Sequence, residues 1–376
     1  MMSAVCSKES CNMCGACMAI CPKKCIEGKR DGQLWYADSD ENTCVNCGLC
    51  KKVCSNITTP DWKKSECVYA AWDNNAEERK ESASGGIAAA MYRYAIKKGM
   101  YIVGVELDDN YEAHFKMSND AKSILKFRNS KYTYSYMGDV YTRIEEVLRK
   151  NKGIVFVGLP CQVAGLQNYL DAKKLSQDKL ITIDLICHGT PLPEYLSEHI
   201  QAIGKKYGKE PRECSFREVK CGTENFVFSL KDSSGKLFYK KIVESDDLYQ
   251  IGYHRGWIYR ENCYHCQFAQ KQRCGDFTIG DYSGLGKVES FNKPKDKVSS
   301  FFINTEKGKA FLQEMQKDNV FYLEERNMLE PYTYDPQLSH PSKEKDSIER
   351  RAFINYGGGT RILLREHSLL YRLKIA

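Results

Sequence analysis

Eight cysteines near the start of the chain fall into two copies of one spacing. Cys11, Cys14, Cys17 and Cys21, followed by Pro22, read C-x2-C-x2-C-x3-C, and Cys44, Cys47, Cys50 and Cys54 repeat it. Three thiolates so close together can cap three irons of a cube from one loop, while the fourth iron needs a ligand from elsewhere. Zinc also accepts four thiolates, but zinc ribbons do not need this run of three. The 18 cysteines of the 376-residue chain would suggest disulfides in a short secreted protein. Here the start, Met1 to Ser10, lacks the apolar core of a signal peptide, so metal ligation in a cytoplasmic setting is expected.

With both copies in view, the segment resembles the bacterial two-cluster ferredoxin family. In that family the fourth cysteine of each repeat serves the other cluster. The resemblance assigns Cys11, Cys14, Cys17 and Cys54 to one 4Fe-4S cluster, and Cys44, Cys47, Cys50 and Cys21 to a second. Ser55 departs from the family's proline after the last cysteine, which removes no ligand. Cys6, Cys25 and Cys67 fall outside the repeat and read as packing cysteines.

The remaining cysteines are Cys161, Cys187, Cys214, Cys221, Cys263, Cys266 and Cys274. Cys161 and Cys187 each follow an expected buried strand, where parallel sheets place their sites. Cys263 and Cys266 form a C-x2-C. Spacing alone leaves three options: a third cubane, a zinc site of Cys263, Cys266, Cys274 and His265, or a redox-active pair. Cys161, at an expected helix N-terminus, should have a lowered pKa.

Several strings, in order, resemble the family of coenzyme F-420 hydrogenase/dehydrogenase beta subunits over about residues 80 to 325. They are Glu81 to Gly86, Asn129 to Tyr132, Gly158 to Gln162, Cys187 to Pro191, Cys263 to Cys266, Ile279 to Asp281 and Asn304 to Lys309. The resemblance implies a flavin, usually FAD with FMN as the alternative, and an additional 4Fe-4S cluster, three in all. It also implies a module that exchanges hydride with a soluble carrier. Carried over by position, Cys161, Cys187, Cys263 and Cys266 become ligands of the third cluster, and Cys274 does not. Clusters move one electron and hydride carriers two, so a flavin is the natural converter between them.

No G-x-G-x-x-G follows any expected strand, so the flavin must bind without a Rossmann loop. Ser84, Gly85 and Gly86 open a helix whose free N–H groups suit a phosphate or the flavin edge, or simply form an N-cap. Ser130, Lys131 and Tyr132 offer a hydroxyl, a cation and a stacking ring. Asp276 and Asp281 either bind the flavin or cap strands, and His188 either tunes a cluster, moves a proton or is structural.

These residues need a scaffold, and the patterning supplies one. Helices are expected over Ile87 to Lys98, Asp139 to Lys150, Gln162 to Leu170, Pro193 to Tyr207 and Glu306 to Gln316. Strands are expected at Tyr101 to Leu107, Ile154 to Val157, Leu180 to Ile186, Phe277 to Ile279 and Ser300 to Ile303. Cys214 to Val219, Phe226 to Leu230 and Leu237 to Ile242 alternate like antiparallel strands of an insertion or sheet extension. The expected class is α+β (mixed α/β): a two-cluster ferredoxin domain over 1–65 with an exit linker at Asn56 to Ser65, and a mixed-sheet flavin domain over 66–330. A charged helical tail follows over 331–376, with a break at Gly357 to Gly359 and an amphipathic stretch at Arg361 to Leu373.

The most apolar stretch, Gly153 to Leu166, contains Pro160, Cys161 and Gln162, so no membrane span is expected. The net charge of +7 falls to about +1 once three clusters of net charge about 2− are counted, which argues against nucleic acid. The expected function is an iron–sulfur flavoprotein oxidoreductase with a redox partner protein or ferredoxin, a soluble hydride carrier or small-molecule substrate, and a homo-oligomer as one option. The alternatives are a non-catalytic electron-relay protein within a larger complex and a reductase in sugar or polysaccharide biosynthesis.

Overall fold

The computed structural model describes residues 5–31, 34–218, 227–242 and 247–342. Cys221, the ends of two expected strands at 219 and 226, and the tail features at 357–373 lie outside them. The fold is mixed α/β. In the cysteine-rich segment β1 (Ile26–Asp31) pairs antiparallel with β2 (Leu34–Ser39), Ile26 opposite Ser39.

The main sheet uses β3 (Cys67–Asp73), β4 (Tyr101–Leu107), β5 (Ala113–Ser118), β6 (Ser135–Tyr136), β7 (Ile154–Gly158) and β8 (Leu180–Leu185). A separate small sheet holds β9 (Pro211–Ser215), β10 (Val227–Asp232) and β11 (Leu237–Ile242), and the main sheet is completed by β12 (Phe277–Asp281), β13 (Ser299–Ile303) and β14 (Phe321–Arg326). Its spatial order is β14-β3-β13-β12-β8-β7-β4-β5-β6. β12, β8, β7 and β4 run parallel at the centre, and β13, β3 and β5 attach antiparallel. All of β7 is buried, as a continuous apolar strand covered on both faces should be.

Alternate residues of β7 feed two cores. Val155 and Val157 join Ile87, Met91 and Ala95 of the helix Ile87–Lys97 on one face. Ile154 and Phe156 join Val163, Leu166 and Tyr169 of the helix Pro160–Ala172 on the other. That second core also takes in Ala16, Ile20 and Val53 from the cysteine repeats. The repeats therefore share a hydrophobic core with the sheet, in which each fully buried large apolar side chain is worth about 1.5–3 kcal/mol. The segment expected as an exit linker is tied down as well: Lys63 and Arg273 exchange backbone hydrogen bonds of 2.7 and 2.9 Å.

The helix expected from Gln162 starts at Pro160. Leu159 is extended (φ −76°, ψ 154°), proline occupies the first turn, and the Gln162 side chain accepts the Leu159 N–H at 3.0 Å. Strands β9 to β11 form their own sheet rather than extending the large one. They pack on the helix Pro193–Tyr207 through Phe228, Leu230, Leu196 and Ile200.

Candidate metal and cofactor centres

The two cysteine repeats have the same backbone. Met13 and Asn46 are left-handed (φ 56° and 53°), as are Gly15 and Gly48 (φ 83° and 75°). A short helix follows each, Ala16–Ile20 and Leu49–Val53, and each ends in an extended cysteine, Cys21 or Cys54. Such successive turns point backbone N–H groups into a common hollow suited to an anionic group. At the first loop the Ala37 N–H lies 3.3 Å from Cys11 Sγ, and Asn12 Oδ1 accepts the Cys14 N–H at 3.1 Å.

A narrow hollow is lined by Cys11, Cys14, Cys17 and Cys54. A more open cleft is lined by Cys21, Cys44, Cys47 and Cys50. The crossed grouping that the repeat suggested is thus the grouping in space. Cys6 joins the rim of the first hollow and Cys25 that of the second, where its Sγ is 3.4 Å from Cys21 Sγ. Both pack against the core that holds the repeats, and neither belongs to the repeat, so spacing had no signal for their place at the hollows.

Burial pushes the Cys14 thiol up to about 12 and raises Cys17 well above the usual thiol range. Cys11 rises through its hydrogen bond to Cys6 and then through burial. Thiols in so dry a hollow carry charge only when a metal takes the proton's place. Four converging sulfurs fit an iron–sulfur cube.

The third set comes from three places. Cys161 sits in the first turn of the helix after β7, Cys187 lies just beyond β8, and Cys263 and Cys266 flank the end of the short helix Glu261–His265. Burial raises Cys187 to about 12, with Cys263 and Cys266 as the next causes, and raises Cys266 to about 11, with Cys263 next. Cys161 lies well above the usual thiol range through burial, then through Cys266 and Cys187. This corrects the lowered pKa expected for it, because desolvation and neighbouring sulfurs outweigh a helix N-terminus. Cys274 is fully buried, and the charges nearest its thiol are Asp184, Arg273, Lys63 and Asp61 rather than the other cysteines. The Cys263, Cys266, Cys274 and His265 zinc arrangement finds no support there.

The first set adjoins both of the others. Cys17 feels the charge of Cys50, and Cys161 that of Cys14. Gly165, one turn after Cys161, permits the second approach, since a Cβ there would lie 2.8 Å from Cys14 Sγ. Tyr141 fastens the contact by sharing its hydroxyl between the carbonyls of Cys14 (2.9 Å) and Gln162 (3.0 Å).

Part of the expected flavin set lies near the third cysteine set: Tyr253, on which Tyr132 stacks, feels Cys187. Gly86 (φ 82°) caps the helix Ile87–Lys97 with no side-chain cap. The Gly85 N–H is not free as expected, because it donates to Ser299 Oγ at 3.0 Å, and Ser299 Oγ in turn lies 3.0 Å from Ser84 Oγ. Asp281 is held by a forked ion pair to Arg217, whose Nη1 also donates to the Ala83 carbonyl at 3.0 Å.

Tyr132 faces Arg217 and Asp281, with Ser130 on its hydroxyl. Its ring stacks on Tyr253 at 4.6 Å, with Phe216 and His254 edge-on. Burial, then His188 and Arg217, lower His254 to about 4. Lys131 departs from its expected role: its ammonium donates to the carbonyls of Lys126 (2.7 Å) and Arg128 (2.8 Å), capping the helix Ser123–Phe127, and burial lowers it to about 7. Asp276 is structural, accepting from Thr182 and Thr305. Sequence reading missed Arg217, Tyr253 and His254, which lie in no motif. A guanidinium, hydroxyls, aromatic faces and an uncapped helix start are groups that fit a flavin nucleotide.

Adjoining cysteine sets and a polar, aromatic cluster around Tyr132 and Arg217 sit on a mixed sheet, an arrangement suited to a redox protein. Residues 68–141 match the family model for the N-terminal part of the beta subunit of coenzyme F420 hydrogenase/dehydrogenase, and residues 151–328 match the model for its C-terminal part. The chain belongs to this family. One component of the F(420)H(2) dehydrogenase of Methanosarcina mazei is 22% identical over 196 residues, 50% of this chain and 55% of that protein. The match thus spans about half the length of that relative. A chain of the F420-reducing [NiFe] hydrogenase complex from Methanosarcina barkeri, in its xenon derivative, superposes with a TM-score of 0.48 at 18% identity, over 70% of this chain and 82% of that one. Among the described residues no helix is long and apolar enough to cross a membrane.

Proposed function

We propose that this chain is an iron–sulfur flavoprotein oxidoreductase that passes electrons between a redox partner protein and a soluble hydride carrier. When bound, three 4Fe-4S clusters would supply one-electron relay, and a flavin would supply the exchange between single electrons and hydride. Cys11, Cys14, Cys17 and Cys54 hold one cube, Cys21, Cys44, Cys47 and Cys50 another, and Cys161, Cys187, Cys263 and Cys266 the third. Ser84, Gly86, Ser130, Tyr132 and Asp281, joined by Arg217, hold the flavin, FAD in the family's usual case, while Gly85, bonded to Ser299, and Lys131 shape the loops beside it. Tyr253 and Phe216 keep water from the ring of Tyr132.

The observation that carries this reading is the contact of Cys14 with the helix opened by Cys161, made at Gly165. It brings a ligand of the N-terminal segment against the helix bearing a ligand of the sheet domain, the proximity that relay requires. Family membership and the name of the M. mazei relative favour coenzyme F420 as the carrier.

Anaerobically purified protein should contain about twelve irons, as many sulfides and one flavin per chain, and its flavin should bleach with reduced F420. Zinc in place of iron, or no reducible iron signal, overturns the reading. Bleaching by a reduced nicotinamide alone would replace the carrier and keep the rest.

A further inference from the structure

Arg260 occupies the gap between the first cysteine loop and the third set. Its side chain is 2% exposed. The backbone N–H donates to the Thr190 carbonyl at 2.9 Å, Nε to Thr190 Oγ1 at 3.0 Å, and Nη1 to the carbonyl of Asn12 at 3.1 Å. The guanidinium lies 4.8 Å from the ring centre of Tyr134 and 5.9 Å from that of Trp35. Tyr134 in turn donates to the Met13 carbonyl at 2.6 Å, and Thr190 Oγ1 is 4.0 Å from Cys263 Sγ. The groups around this cation therefore belong to both cysteine sets.

Among the described residues no carboxylate pairs with Arg260, and the ionisable groups acting on it are the Cys263 thiol, the Tyr134 hydroxyl and the thiols of Cys161 and Cys11. A guanidinium keeps its proton under all ordinary conditions. Burying one without a counter-charge is strongly unfavourable, so a native fold that does so is expected to supply the negative charge another way. Thiolate-bound cubes, each of net charge about 2−, supply it from two sides.

We propose that Arg260 is a shared positioning charge for the two cubes it separates, holding both reduction potentials up and holding the two loops in register. Each cube would gain one negative charge on accepting an electron, and the fixed cation between them favours that gain on either side. An electron crossing the gap then leaves one side of Arg260 and arrives at the other with little change in this interaction, and no atom or proton has to move. The cube of Cys21, Cys44, Cys47 and Cys50 lies beyond the first and is screened from Arg260.

This inference rests on reading both cysteine sets as 4Fe-4S ligands, which iron and sulfide content of the unaltered protein tests separately. The full chain and its R260Q and R260K variants are compared by potentiometric titration followed by paramagnetic resonance. R260Q should lower the potentials of the first-loop and third clusters at least tenfold in the one-electron equilibrium, about 59 mV each. The outlying cluster should not move, and R260K should stay near the unaltered values. A shift in only one cluster, no shift, or equal shifts in R260Q and R260K overturns the proposal. If R260Q fails to retain iron, R260K decides: full iron at unaltered potentials supports the charge, and lost iron or displaced potentials overturn it.

Discussion

Arg273 and Asp184 form a forked ion pair with both side chains at 2% exposure or less. Nε and Nη2 of Arg273 lie 3.1 and 2.8 Å from Asp184 Oδ1, while Oδ2 accepts the N–H groups of Cys274 (2.9 Å) and Gly275 (2.8 Å). Asp184 stands in β8 just before Cys187, and Arg273 follows Cys266. The pair therefore locks together the two segments that bring the third cysteine set into one place. Asp184→Ala would leave the buried Arg273 guanidinium without its counter-charge, although Thr278 and backbone carbonyls still accept from it, and would leave two N–H groups without partners, at a cost of about 3–5 kcal/mol. Anaerobic denaturant melts should show that loss, together with falling iron content. Unchanged iron in the variant would refute the positioning role.

A second buried pair organises the small sheet and gives stability a pH dependence. Asp247 is fully buried and accepts from His199 (2.9 Å), Tyr239 (2.9 Å) and the Gln250 N–H (2.9 Å), with Cys214 as a further neighbour. Burial alone would raise its pKa, but the His199 charge and these hydrogen bonds outweigh it and leave the carboxyl below its ordinary value. A carboxyl depressed in the fold stabilises above its unfolded value of about 3.9, and that contribution fades as pH falls through the folded value. Asp247→Asn should cost about 1–3 kcal/mol at pH 7. The gap between variant and parent should persist down to about pH 4 and narrow only in melts taken below it, as the carboxyl becomes protonated in the fold. A constant gap would show that the ionised carboxylate is not the stabilising species.

Some of this could be read from the sequence, and the rest depended on distant pairing. Continuous apolar runs marked β7 and β8, and helical periodicity marked Ile87–Lys97 and Pro193–Tyr207, because those signals are local. β3 and β14 gave no such signal. Their register, Ala71 opposite Leu323 and Ser299, is chosen by partners more than two hundred residues downstream, which no local propensity reports. The crossed cysteine grouping was suggested by the resemblance to two-cluster ferredoxins, and its two sets line separate hollows. Arg217 on Asp281 was not, since nothing in either local sequence specifies the other. Lys131 was given the wrong task because the last carbonyls of the helix Ser123–Phe127 compete for its ammonium.

Gly165 tests whether the two halves must touch. Alanine is the better helix former by about 1 kcal/mol, yet its Cβ would lie 2.8 Å from Cys14 Sγ and 3.0 Å from the Tyr141 hydroxyl. The steric term should win, with a net loss of about 1–3 kcal/mol and a wider gap between the first and third sets. Thermal melts give the first quantity, and weaker magnetic coupling between the reduced clusters gives the second. A more stable Gly165→Ala protein with unchanged coupling would mean that the close approach is not needed.

Cys263 is the proposed ligand whose removal best separates the role of the N-terminal cysteine repeats from that of the sheet. It is buried, adjoins Thr190 and Arg260, and contributes to the raised pKa values of Cys187 and Cys266. It has no place in either hollow of the N-terminal repeats. Cys263→Ala should therefore lower iron from about twelve to about eight per chain while leaving two ferredoxin-type signals. With the third set dismantled, electrons supplied to the N-terminal clusters should no longer reach the flavin, although reduced carrier should still bleach it directly. Stopped-flow absorbance, with reductant offered from each side in turn, distinguishes the two routes. Undiminished transfer from the N-terminal side would remove Cys263 from the ligand set and return the third centre to a choice among the neighbouring cysteines.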